Sequence, residues 1–494
     1  MSTWLRLSSQ YGCISLSNPS VITASISPIA AGRDLELNKP FIWAISFVAA
    51  LGGLLFGYDW VVIGGAKPFF EKFFQLDSEE LKGWANSCAL VGCLVGSLVS
   101  GGLSDRFGRK KLLVVSAFLF ALSSVLTGWA PNFQAFVIWR IFGGVAIGMA
   151  SNLSPMYIAE VAPASMRGRL VAINQLTIVI GIVLAQVANL LIAERVPDNA
   201  SAAFLCQSWN GQYGWRWMFT AVAIPSLVFL LGSILVPESP RWLVKNGMAE
   251  KARRILAKIG GPAYADDEVR DVEATLAQGE IQHVRFLDLL EPKVLKILVV
   301  GCVLAVLQQW SGINVIFNYA EEIFHAAGYG VSAILFQIVI TGLVTLVFTL
   351  IAVGTVDRFG RRALMLIGCA GIAIFHAVIG CAYFFELKGL LVVIPVLATM
   401  ACYSFSLAPV TWVLISEIFP NRIRGAAISV AVSVLWIACF ILTYTFPVLN
   451  RALGPSGTFW LYSAICAAGF VFILLRVPET KGKTLEQIER ELTD

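Results

Sequence analysis

Apolar residues in this chain come in long, nearly unbroken runs, not in the strict alternation of a half-buried strand or the three-to-four spacing of a surface helix. A helix crosses a bilayer with roughly 20 mainly apolar residues, and about twelve runs meet that length. They cover 41–63, 84–103, 112–130, 133–158, 170–194, 217–236, 294–318, 331–356, 363–384, 389–415, 425–448 and 457–477. Six lie on each side of one long polar segment, from Val236 to about Glu291. The pattern predicts an all-α integral membrane protein with twelve transmembrane helices, six in each half.

The polar residues between the runs repeat. GGLSDRFGRKK, from Gly101 to Lys111, shares its core with GTVDRFGRR, from Gly354 to Arg362, and Asp357 stands where Asp105 does, half a chain length later. Glu160 and Arg167, in EVAPASMRG, are matched in the same order by Glu417 and Arg424, in EIFPNRIRG. Pro237-Glu238-Ser239 closes the first half, and Pro478-Glu479-Thr480 closes the second. Ordered pairs at similar offsets mark one unit present twice, so the two halves are pseudo-symmetric. The expected domains are a disordered cytoplasmic tail over 1–39, a bundle over 40–236, a cytoplasmic linker with short amphipathic helices over 237–291, a second bundle over 292–478 and a tail over 479–494. In the linker, Ile255, Leu256 and Ile259 carry the helical spacing.

Composition narrows the function. With 57% hydrophobic and 14% charged residues, the chain holds more apolar surface than one soluble core could hide. A net charge of +5 is modest and its placement matters more than its size, so nucleic acid is not an expected partner; the lipid bilayer is. The ten Cys lie mostly inside runs and show no metal-site spacing, so no metal and no cofactor are expected. Placement of the basic residues sets orientation. Arg106, Arg109, Lys110, Lys111, Arg167, Arg169, Arg358, Arg361, Arg362, Arg422 and Arg424 share one side, which makes that side cytoplasmic, with both termini there.

A few polar residues interrupt the spans. Asp59 sits in LGGLLFGYDWVVIGG, and a carboxylate at that depth is a functional hypothesis with a partner to be named. The partner expected is Arg140, alone in FVIWRIFGGVAIG. A static ion pair between two helices competes with a proton site, in which the cation lowers and desolvation raises the affinity of the carboxylate for H⁺. Gly143, Gly144 and Gly148 follow Arg140 and admit another backbone at close range. Span 5 carries Asn174 and Gln175, either as interhelical glue or lining a polar cavity.

Span 7 is the most polar, with Gln308, Gln309, Ser311, Asn314 and Asn318. Uncharged hydrogen-bonding groups in that number suit a neutral polyhydroxylated ligand, whose hydroxyls need partners on leaving water. Gly312 would let the helix break there. Trp412 and Trp436 offer aromatic faces, for packing or for the C–H face of a sugar ring; His376 reads as a packed neutral side chain.

In combination these residues resemble the sugar porter family of the major facilitator superfamily, most closely its bacterial proton-coupled xylose and monosaccharide symporters. The motifs that carry the resemblance are GGLSDRFGRKK with its repeat, RIFGGVAIG…PMYIAEVAPASMRG, PESPRWL, QQWSGIN, PVTW…SEIFPNRIRG and VPETKGKTLEQIE, over about Pro40 to Glu489. The resemblance implies the major facilitator fold, two bundles of inverted repeats rocking about a central site. It implies monosaccharide:H⁺ symport across the cytoplasmic membrane, with the proton as coupling ion, a pentose, a hexose or a polyol as substrate, and a functional monomer.

By the same resemblance Asp59 is the proton-coupling carboxylate and Arg140 its partner. Gln175, Gln308, Gln309, Asn314 and Trp412 hold the sugar, with Phe56 and Trp436 lining the pocket and Asn318 where many relatives have Tyr. Asp105, Arg109, Glu160, Arg167 and Glu238, matched by Asp357, Arg361, Glu417, Arg424 and Glu479, form a cytoplasmic gate. The chain departs from the family pattern at Asn318, at Leu435 in place of an amide, at Ala408 in place of Gly and at Thr345 in place of Asn, which leaves the sugar open. A passive facilitator and a membrane sugar sensor are the competing functions; an enzyme is not expected.

Overall fold

A backbone inside a bilayer must satisfy its own polar groups, which leaves helices as the structure for long apolar runs. A computed structural model describes residues 37–197, 201–277, 289–419 and 423–481, and among them every regular element is helical. The tail over 1–36, the sequence beyond 481 and the side chain of Asp357 lie outside the described residues.

Spans 1 to 5 are Lys39–Phe73, Glu79–Phe107, Arg109–Gly128, Phe133–Val161 and Ala164–Ile192. Span 6 is Asn210–Leu235, which opens on a π turn at Asn210–Gly214. Span 7 covers Pro292–Asn318, span 8 Val331–Phe359 and span 9 Arg361–Phe384. Span 10 is Leu390–Phe405 continued by Leu407–Ile418 after a break at Ser406. Arg424–Arg476 holds two helices that meet at a non-helical Gly454, at φ 68° and followed by Pro455, and these are spans 11 and 12, separate as the sequence pattern expects.

Span 1 runs ten residues past the apolar stretch expected for it, to Phe73. Its extension carries Lys67 and Glu71, charged residues that fall outside the expected run but are buried here. Between the halves, Pro240–Lys245 and Ala249–Ala277 form the linker helices, the second kinked at Gly260 and Gly261, and Leu256 and Ile259 are buried.

Close packing in the first half depends on span 4. A Cβ on Gly144 would stand 1.9 Å from the Ala89 carbonyl of span 2, and one on Gly148 would stand 2.1 Å from the Cys93 carbonyl. Gly143 faces elsewhere, toward Ser123 and Asp59. Without a hydrophobic drive between helices in lipid, such backbone-to-backbone contact supplies much of the association.

The two halves meet at one end. There Lys67 of span 1 pairs with Glu321 and Glu322, which follow span 7, and Val196 donates its N–H to the Ser332 hydroxyl at 2.9 Å. Trp84 packs on Phe440, and the Gly64 backbone touches the Phe317 carbonyl so closely that a Cβ would fall 2.3 Å from it. At the opposite end, which carries the repeated Asp-Arg motif, the described ion pairs stay within one half.

Replacing Gly144 by Leu should force spans 2 and 4 apart. The variant is expected to melt several degrees lower, or to lose its monodisperse elution in detergent, because overpacking against backbone costs about 1–3 kcal/mol or more.

Candidate functional site

Span 7 breaks in the middle of its polar group. The helix stops at Trp310 and Gly312 takes φ 83°, a left-handed value that favours glycine; the chain then restarts at Ile313. The break leaves the Ser311 carbonyl free to bond His376 Nε2 at 2.8 Å. His376 is therefore part of the architecture of the break, a role that a lone apolar-flanked histidine does not signal in sequence.

Around the break three amides are chained. Gln309 Nε2 donates to Gln308 Oε1 at 3.0 Å, and Asn314 Nδ2 donates to Gln309 Oε1 and reaches Cys439 Sγ at 3.3 Å. Gln308 Nε2 lies 3.5 Å from the Ala408 carbonyl, at the break of span 10. All three amides are buried. Their mutual bonds keep them satisfied without a ligand, and each can be exchanged for a hydroxyl without leaving a buried group unpaired.

Phe56 and Trp60 of span 1 meet Trp436 of span 11 in a ring cluster with centroids 5.9 to 6.0 Å apart. Trp436 is 3% exposed and its indole N–H has no partner. A buried indole N–H normally finds an acceptor, so it is a donor held ready for one. Trp412 differs, being 39% exposed, and Gln175 is half-buried. Trp60 was not singled out by sequence reasoning because it lies inside an apolar run.

Next to Trp60, Arg140 Nη1 donates to both oxygens of Asp59, at 3.0 and 3.1 Å. Both residues are nearly fully buried, and the guanidinium also lies 5.5 Å from the Phe219 ring. Asn86 and Asn318 line the same small pocket. Arg140 Nε, Asn86 Oδ1 and Asn318 Oδ1 all lack a hydrogen-bond partner. Asn318 belongs to the second half, so the ion pair is walled by both halves, and by the same span that holds the amides. Removing either charge alone would strand the other in low dielectric.

The repeated motif builds one device twice. Gly108 and Gly360, at φ 94° and 88°, each precede a helix whose first N–H groups point at a carboxylate. Glu238 Oε1 accepts from Arg109 N and Lys110 N at 2.9 and 3.0 Å. Glu479 accepts from Arg361 N and Arg362 N at 2.9 and 3.1 Å. A Cβ on either glycine would collide with that carboxylate, at 2.2 and 2.7 Å. An anion at a helix N-terminus is favourable for both its hydrogen bonds and the helix dipole.

Beside each device stands an ion pair, Arg109 with Glu160 and Asp105 at 3.0 Å, and Arg361 with Glu417 at 3.2 Å. Thr480 donates to Glu417 at 2.6 Å. Arg167 and Arg424 are not brought to these pairs by a described bond. Arg167 is exposed and lies near Glu268 of the linker, while Arg424 Nε donates to the Phe419 carbonyl at 3.1 Å.

Comparison with known proteins places this geometry. The family model described as "Sugar (and other) transporter" matches residues 45–492. The chain belongs to the sugar transporter family. Among curated relatives, a D-xylose-proton symporter of Escherichia coli (strain K12) is 39% identical over 487 residues, covering 92% of this chain and 96% of that one. An arabinose-proton symporter of Bacillus subtilis (strain 168) is 39% identical over 467 residues, covering 92% of this chain and 98% of that one. The solved inward-open conformation of the xylose transporter XylE from E. coli superposes with a TM-score of 0.79 at 37% identity, covering 91% of this chain and 99% of that one. The protein is thus a multi-pass membrane transporter of the major facilitator fold and not an enzyme.

Three of the four positions where a departure from the family pattern is expected, Ala408, Asn318 and Leu435, lie at the site. Ala408 lends its carbonyl to Gln308, Asn318 walls the Asp59 pocket and Leu435 is buried beside Trp436. Thr345 donates to the Thr341 carbonyl of its own helix at 2.9 Å.

For Glu479, burial raises the carboxyl, but the N–H groups of Lys481, Arg361, Arg362 and Ala363 outweigh it and hold the group below its ordinary 4.5. A depressed folded value adds stability above the unfolded one, and that stability is lost as pH falls through the folded one. Thermal melts of the purified transporter should therefore weaken below pH 4.5, and Glu479→Gln should flatten that part of the profile while lowering the plateau at neutral pH.

Proposed function

We propose that this protein is a monosaccharide:H⁺ symporter of the cytoplasmic membrane that works by alternating access, as a monomer with both termini cytoplasmic. The observation that carries the reading is the buried Asp59–Arg140 pair in a pocket walled by both halves, where Asn318 stands six residues beyond the amide-lined break at Gly312 of span 7. The names of the relatives, proton symporters of xylose and arabinose, agree with it.

The cycle follows from the charges. While Asp59 is ionised it is held by Arg140. When a proton enters, the carboxyl becomes neutral, the pull on the guanidinium ends, and Arg140 is free to take other acceptors in the pocket. Asn318 stands there with an unpartnered oxygen, so proton binding changes what the first half offers to the second. The sugar acts on the same span from the other side of the break, where Gln308, Gln309 and Asn314 exchange their mutual bonds for its hydroxyls and Phe56 and Trp436 cover its apolar face. Proton and sugar together can bias reorientation only by binding one state better than the other.

Positive residues on the motif-bearing side make that side cytoplasmic. The structure is then closed toward the outside and faces inward, in keeping with its likeness to an inward-open relative. The Asp105–Arg109–Glu160–Glu238 and Arg361–Glu417–Glu479 groups act as a gate by bracing each half so that the two can meet at that side in the opposite state. Leu435 and Asn318 reshape the pocket relative to the family pattern, which keeps pentoses, hexoses and polyols all in the panel to be tested.

Asp59→Asn in proteoliposomes should abolish accumulation driven by a pH gradient, bringing the inside-to-outside ratio to about 1, while counterflow and sugar binding persist; undiminished uphill uptake would remove the proton role. Gln308→Ala should weaken sugar binding about tenfold, as loss of one or two hydrogen bonds predicts, and unchanged affinity would take Gln308 out of the site. The substrate panel is xylose, arabinose, glucose, galactose and inositol, each with and without an imposed gradient.

A further inference from the structure

The closed end of the molecule holds a second group of charges, with Lys67 and Glu71 buried and Glu321 and Glu322 half-buried, that has no part in the mechanism above. Lys67 is 0% exposed. Its ammonium lies 3.5 Å from Glu71 of its own helix, 3.5 Å from Glu321 and in direct contact with Glu322. The Tyr319 ring covers it at 5.0 Å, and the Tyr319 hydroxyl is committed to the Thr443 carbonyl at 2.7 Å. Lys82, paired with Glu79, is the other cation near Glu71.

One ammonium thus faces three carboxylates. Glu71 Oε1 and Glu322 Oε2 are buried oxygens that accept no hydrogen bond. Glu321 and Glu322 keep 26% and 30% of their side chains exposed, but three carboxylates crowded around one buried ammonium repel one another, which favours a proton on the group. The cluster is also divided: Lys67 and Glu71 belong to the first half, Glu321 and Glu322 to the second. It exists only while the halves meet at this end.

We propose that Lys67, Glu71, Glu321 and Glu322 form a second proton-binding site, distinct from Asp59, which is assembled when the outer end closes and which makes closure take up a proton. Glu322 is the group that accepts it. Burial pushes its carboxyl up to about 7; Lys67 opposes the rise, and Glu321 and Glu71 add to it. In the open state the same side chain returns to water and to its ordinary 4.5. The closed state therefore binds more protons than the open one between these values, and by linkage it gains on the open state as pH falls through that window. An outward-facing carrier in acid surroundings would close more readily behind its load.

This inference rests on the rocking of the halves proposed above but not on the solute carried or on coupling through Asp59. The test is made accordingly on full-length protein in the Asp59→Asn background, without sugar, by measuring the distance between spin labels at the exposed positions Gln75 and Lys388 of the closing end. The ratio of closed to open molecules should rise at least about tenfold between about pH 8 and about pH 5, and Glu322→Gln should hold it within about twofold. Lys67→Met serves as the second variant. With the cation gone, the carboxylates should open this end at high pH and acid should restore closure. A pH response that survives Glu322→Gln, or a Lys67→Met variant that stays closed at every pH, would overturn the proposal. Failure of sugar uptake to follow the pH gradient would instead count against the symport reading and leave this result untouched.

Discussion

An ionised carboxylate has no tolerable place among lipid-facing helices unless a cation stands against it, and Asp59 with Arg140 is the contact on which the rest of this transporter turns. Both groups are buried and joined by two hydrogen bonds, so neither can lose the other without leaving a charge in low dielectric. Position extends the reach of that contact. The pair shares a pocket with Asn318 of the opposite half, and Asn318 is the last residue of the span whose break gathers the buried amides. The ion pair of the first half is thus in register with the polar break of the second.

Reorientation also needs ends that are stable apart and stable together. The repeated Gly-Arg turns supply the first condition, because each ties the start of a helix to a carboxylate of the same half by backbone hydrogen bonds and leaves the halves independent at that end. The second condition is met at the other end by a buried lysine shared between halves. The two ends use charge differently. One satisfies its anions within each half, while the other gathers three carboxylates from both halves around one lysine.

The aromatic cluster of Phe56, Trp60 and Trp436 joins the halves without charge. Aromatic contact over a few ångströms tolerates sliding better than an ion pair does, which suits a surface at the centre of a rocking motion. The exposed Trp412 and the unpartnered N–H of Trp436 show that this centre is not packed to completion like a folding core.

Apolar runs long enough to cross a membrane, the duplicated turn and the amides of span 7 were legible in the sequence, because hydrophobic length, repetition and polarity in an apolar context are local properties of the chain. The break at Gly312 was legible for the same reason, since glycine beside a polar group weakens a helix whatever surrounds it. Trp60, Asn86 and His376 were not, for their roles come from partners on other spans and nothing in their own neighbourhood marks them. Lys67 and Glu71 lie beyond the apolar run of span 1, where nothing local marks them. Only the tertiary structure, by bringing Glu321 and Glu322 of the second half to Lys67, decided that they are buried and that three carboxylates share one ammonium. Spacing along the chain can state which groups need a partner in lipid; which partner they obtain depends on how two bundles meet.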